Sequence, residues 1–124
     1  MARTAVAPAA GARNSAVAPT STTINSTLVT NGVTMAVPNP EKLVIRVTNS
    51  DTNPHNIIIR AAADVPGNSG AWMAGQGDLT VPVAASGVEE FIGVDSARFS
   101  QPDGSVQIDF STGFTGTMES VLRP

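Results

Sequence analysis

Apolar and polar residues alternate with a period of two in the two clearest stretches of the chain. In KLVIRVTN (42–49), Leu43, Ile45 and Val47 fall on one side and Val44, Arg46 and Thr48 on the other. In SVQIDFS (105–111), Val106, Ile108 and Phe110 alternate with Gln107 and Asp109. Successive side chains of a strand point to opposite faces, so each stretch predicts a strand with one buried face. Further β-prone runs are NIIIRA (56–61), DLTVPVA (78–84), VEEFIGV (88–94), ARFSQ (97–101) and GTMESVLRP (116–124). STLVT-NG-VTMAV (26–37) places Asn31-Gly32 between two such runs, which predicts a tight hairpin. PDG (102–104) predicts a proline-led turn. About eight short strands at this spacing, with no sustained helical period, predict an all-β fold. The expected architecture is an antiparallel Greek-key β-sandwich of Ig-like topology.

The first 24 residues read differently. They are almost wholly Ala, Pro, Thr, Ser, Gly, Asn and Val, and TAVAP at 4–8 returns as SAVAP at 15–19. Such a segment has little apolar bulk to offset its own ordering entropy. Its prolines remove backbone donors and favour extended conformations. The expected division is an extended arm at 1–24 and a sandwich domain at 25–124. Fully extended, the arm could reach roughly 80 Å. It is expected to lie along a partner, with Val6 and Val17 filling apolar pockets and Arg3 and Arg13 meeting acidic surface. The alternative is a tail folded back on its own domain.

Charge reinforces this division. Residues 1–40 hold two arginines and no acid, whereas 41–124 hold five basic and ten acidic side chains. An acidic body of this kind is a poor nucleic-acid binder. No apolar run approaches the roughly 20 residues that span a bilayer, so no membrane partner is expected. Pro8 and Gly11 interrupt the N-terminal alanines before they form a signal-peptide core, and the chain is read as not secreted. Cysteine is absent, which removes disulfides, thiolate ligands and cysteine nucleophiles.

Candidate chemistry centres on His55, the only histidine. VTNSDTNPHNIII (47–59) resembles the strand-turn-strand of the cupredoxins, whose copper is held partly by a histidine in such a context. Copper there also needs a thiolate and a second histidine. Neither exists in this chain, so the resemblance implies only the fold, and His55 is expected as a turn residue with a hydrogen-bonded ring. A Ser-His-acid triad would depend on the same histidine, and no nucleophile elbow is present. Glu89 and Glu90 are adjacent and point to opposite strand faces, so they cannot work as a pair. The aspartates do not follow calcium-loop spacing. No enzyme activity, cofactor or metal is expected. The long irregular stretch 61–77 carries Trp72 and Met73. Trp72 either plugs one end of the core or, with Met73, anchors a contact between subunits.

LVIRVTNSDTNPHNIIIRA (43–61), GQGDLTVPV (75–83) and DSARFSQPDGSVQIDFS (95–111) are the stretches that carry a family likeness. Through them, the chain from about Asn25 to Pro124 resembles the small capsid decoration proteins of tailed bacteriophages. The resemblance implies a sandwich on the outer surface of an icosahedral head, cementing capsomers by binding the major capsid protein. It further implies synthesis in the host bacterial cytoplasm and clustering of copies, for instance as a homotrimer. Two other classes stay open. One is another phage structural part, such as a head fibre base, neck or tail accessory protein. The other is an extracellular bacterial sandwich that binds carbohydrate or protein, against which the 4% aromatic content and missing tyrosine count.

Overall fold

The computed structural model describes residues 3–37, 40–61, 78–85, 89–93, 99, 101 and 104–124. The alternating stretches are strands as the sequence predicts. Leu43–Asn49 buries Leu43, Ile45, Val47 and Asn49 and turns Val44, Arg46 and Thr48 outward. Ser105–Phe110 buries Val106, Ile108 and Phe110. In chain order the strands are β1 (Thr4–Ala5), β2 (Ala9–Ala10), β3 (Thr20–Ile24), β4 (Val33–Ala36), β5 (Leu43–Asn49), β6 (His55–Ile59), β7 (Leu79–Val83), β8 (Glu89–Gly93), β9 (Ser105–Phe110) and β10 (Gly116–Leu122). The strands expected at 56–61, 78–84, 88–94 and 116–124 correspond to β6, β7, β8 and β10. The one expected at 97–101 lies mostly outside the described residues, though Phe99 is buried in the core.

Two sheets enclose one apolar cluster. The first has the order β1-β4-β9-β6-β7 and the second β2-β10-β5-β8, with β3 also paired to β10. Val33, Met35, Ile57, Ile59, Val83, Val106 and Ile108 from the first sheet meet Leu43, Ile45, Val47, Ile92 and Met118 from the second. The fold is therefore an all-β sandwich. Its pairing is mixed, not purely antiparallel, because β1 joins β4 and β2 joins β10 in parallel. Both parallel pairs come from the N-terminal segment. Pro82 sits in β7, an edge strand, where a missing N–H is tolerated.

The hairpin expected over 26–37 is replaced by a helix and a strand. Helix α1 spans Ser26–Asn31, and Asn25 caps it by accepting a hydrogen bond from the Leu28 N–H at 3.0 Å. Gly32 ends it with φ of 76° and donates to the Leu28 carbonyl at 2.8 Å. Asn-Gly supplies a positive φ here too, but for a helix terminus and not for a hairpin turn.

The N-terminal segment is the larger departure from expectation. It is folded back on its own domain as a strap. β1 extends the first sheet beyond β4, and the chain then crosses to the second sheet. There, β2 and β3 share one side of β10: β3 pairs along 116–120 and β2 along 121–122. Val6 and Ile24 enter the core, 9% and 2% exposed. The segment thus completes the sandwich that it was expected merely to precede.

Candidate functional site

The strap is held by charge as well as by pairing. Arg3 donates through Nη1 and Nη2 to the two carboxylate oxygens of Asp109, at 2.6 and 3.2 Å. Nη1 also donates to the Ile108 carbonyl at 3.2 Å. Such a two-pronged guanidinium–carboxylate contact fixes direction as well as distance. Asp109 accepts a further bond from Arg60 Nε, and Arg60 Nη1 reaches Asp78 at 2.7 Å. Asp78 in turn accepts from the Ala61 N–H at 2.7 Å. A line of alternating charge therefore runs from the strap across β9 and past the end of β6. Gly32 lies under it, and any Cβ there would collide with Arg3 and Asp109.

Partial burial works to raise the Asp109 pKa, but Arg3 and Arg60 outweigh it and hold the group below its ordinary 3.8. The Ala61 N–H and then Arg60 lower that of Asp78. A depressed folded value means that the stabilisation is complete above the ordinary carboxylate range and drains away as pH falls through the folded value. Arg3→Gln should therefore be less stable than the parent near neutral pH, and the gap should narrow in acid as Asp109 protonates. Urea midpoints measured across that range check this; a gap independent of pH would assign the effect of Arg3 to packing.

Of the residues expected to grip a partner, Arg3 and Val6 are engaged within the chain itself. Val6 packs on the apolar cluster and its N–H donates to the Thr34 carbonyl at 3.0 Å. Arg13 and Val17 lie in the exposed stretch 12–19 between β2 and β3. Val17, at 38%, is the exposed large hydrophobic residue among those described. Pro19 borders a groove of about 270 Å³ on the outer face of the second sheet, with Val44, Val121 and the Arg46–Glu119 ion pair. Trp72 and Met73 lie outside the described residues.

His55 opens β6, and its Nε2 lies 2.6 Å from Asp51 Oδ2. That bond to His55, followed by one from the Thr52 N–H, lowers the Asp51 pKa. The imidazole packs on Phe114 with ring centroids 5.8 Å apart, and Phe114 meets Phe110 edge-on at 5.5 Å. The ring thus serves a turn beside the core. Among the described residues, no group of three or more His, Asp or Glu is placed to hold a metal, and no helix is long and apolar enough to cross a membrane.

Sequence reasoning overlooked the residue that builds this turn. Asn49 is fully buried at the end of β5. Its Oδ1 accepts from the Asp51 N–H at 3.0 Å, and its Nδ2 donates to the Asn53 and Val83 carbonyls at 2.9 and 3.3 Å. Because Val83 belongs to β7, this one amide ties the two sheets together. The signal was an asparagine in phase with Leu43, Ile45 and Val47.

No family model, curated protein or solved structure matches the chain. Among the described residues, 12–19 is the longest run that the strapped sandwich leaves wholly exposed.

Proposed function

We propose that this chain is a structural protein of a virion, a decoration or cement protein on the outer surface of a bacteriophage capsid. It is made in the host cytoplasm, binds the major capsid protein there or on the assembled head, and reinforces contacts between capsomers. The single observation that supports this most is the stretch 12–19. It contributes little to its own domain, yet presents Val17 and Arg13 to the outside from a sandwich held on both flanks. An apolar anchor beside a cation suits an acidic protein surface with a small apolar pocket. The likeness of 43–61, 75–83 and 95–111 to decoration proteins agrees with it.

Quantitative mass spectrometry of purified particles tests the reading. The expected result is the chain present at a copy number in the hundreds per particle. A few to a dozen copies would instead indicate a neck, tail or fibre-base part. Absence from the particles, with the chain recovered from the bacterial envelope or medium, would overturn the virion assignment.

A further inference from the structure

Four asparagines among the described residues precede a small residue, and the fold treats each differently. Asn14, Asn25 and Asn49 are followed by serine, and Asn31 by glycine. Such pairs are chemically labile. The nitrogen of the following residue, once it gives up its proton, attacks the asparagine Cγ. A new C–N bond closes a five-membered imide, the bond from Cγ to the side-chain nitrogen breaks, and ammonia leaves with the proton. Water then opens the imide at either carbonyl, giving aspartate or its β-linked isomer. A small following residue hinders ring closure least. In a flexible chain glycine, with no Cβ, is therefore fastest, and serine follows.

At three of the four, the fold opposes this attack. The Gly32 N–H donates to the Leu28 carbonyl at 2.8 Å, which resists loss of its proton. In a helix each Cβ tilts toward the N-terminus, which turns the Asn31 Cγ away from the Gly32 nitrogen. The negative charge of the attack would collect on Asn31 Oδ1, an atom that is buried with no hydrogen-bond partner among the described residues. An unpaired charge there is costly. Asn49 is fully buried with both ends of its amide bonded, and the Ser50 N–H donates to the Thr115 carbonyl at 2.9 Å. Asn25 is exposed, but its Oδ1 is held at 3.0 Å by the Leu28 N–H that it caps. Asn14 has none of these restraints. Asn14 and Ser15 are both exposed, and neither is hydrogen-bonded among the described residues. Water can reach the Asn14 amide, and no pairing of its neighbours stops the backbone from rotating into the closing geometry.

We propose that Asn14 is a site of spontaneous deamidation in the folded protein, and that the fold reverses the order set by the sequence by shielding Asn31. The product places a carboxylate directly after Arg13. Arg13 is the only charged residue of 12–19, so the modification cancels the charge of that stretch. The β-linked form also lengthens the main chain by one methylene, in a run that lies outside the core and so absorbs it. The reaction needs only water and the folded chain, and it is independent of the capsid reading.

The test incubates purified full-length protein at mildly alkaline pH, native and in guanidinium chloride. Mass spectrometry follows the conversion of amide to acid, with fragmentation that assigns it to a site. In the native chain Asn14 should convert several times faster than Asn25, Asn31 or Asn49. In denaturant the shielding is gone, and Asn31 should become the fastest of the four. Asn14→Gly should abolish the main native product among these sites and keep the parent's melting temperature, because glycine accepts the φ of 57° found at this position. Native conversion at Asn14 no faster than at Asn25, or conversion at Asn31 as fast in the native chain as in denaturant, would each overturn the proposal. None of these outcomes bears on particle copy number, so the capsid reading stands or falls separately.

Discussion

A chain beginning at Asn25 should fail to hold the fold at temperatures where the full chain is native. The deletion removes β1, β2 and β3, the Arg3–Asp109 clamp, and two core side chains, Val6 and Ile24. Burying an aliphatic side chain of this size contributes about 1.5–3 kcal/mol. Two of them approach the lower end of the roughly 5–15 kcal/mol that separates a native domain from its unfolded state. The pairing lost along β4 and β10 also exposes two sheet edges, a template for aggregation. By contrast, replacing only 12–18 with a short Gly-Ser linker should leave the melting temperature close to the parent's, because those residues lie outside the core. Circular-dichroism melts of the three chains make the comparison. If the Asn25 chain melts with the parent, the strap is an appendage and its burial counts for little.

Asn49→Ala should cost about 2–3 kcal/mol, more than its small change in volume accounts for, because the buried Val83 carbonyl is left unpaired and the turn loses two further bonds. The Val83 and Asn53 carbonyls lose their donor and the Asp51 N–H loses its acceptor. Asn49→Asp separates the causes. It keeps the acceptor and the shape but turns a carboxylate oxygen toward two carbonyls, so it should be at least as damaging near neutral pH. In acid, once protonated, it can donate to one of them and should recover part of the loss. Urea midpoints for the parent and both variants, near neutral pH and in acid, decide the matter. An Asn49→Asp chain as stable as the parent at neutral pH would show that the amide donors contribute nothing.

The inner faces of β5 and β9 were legible because a strand writes its burial in alternate letters. Leu43, Ile45 and Val47 need no distant information to be read. Helix α1 was not legible, since six residues are too few to show a helical period. The only local signal was Asn25, three residues before Leu28, and Asn-Gly favours a hairpin by the same positive φ that ends a helix. The strap was hidden for a different reason. Its composition predicts disorder, and what anchors it is Asp109, 106 residues away along the chain from Arg3. Within the candidate contact segment, the sequence singled out Val17 and Arg13 through the repeat and the sparse charge. Nothing in the repeat alone indicated that Val6 would be consumed by the fold and Val17 left over. That asymmetry depends on Arg3 finding its acid.

The pairing of β10 with β3 sets an order on how the protein can be made. Ile24 faces Gly116, and Ser120 faces Thr20. β2, β3 and β5 all take β10 as a neighbour. β3 thus waits for a strand that is made only after β4 to β9, and closing so long a loop before any contact rewards it slows folding. Until β10 is released, the second sheet lacks the strand that lies between β2 and β5, and β2 and β3 have no edge to pair with. During synthesis the polar, proline-punctuated composition of the first 24 residues serves as protection: it keeps the unpaired strands soluble while they wait.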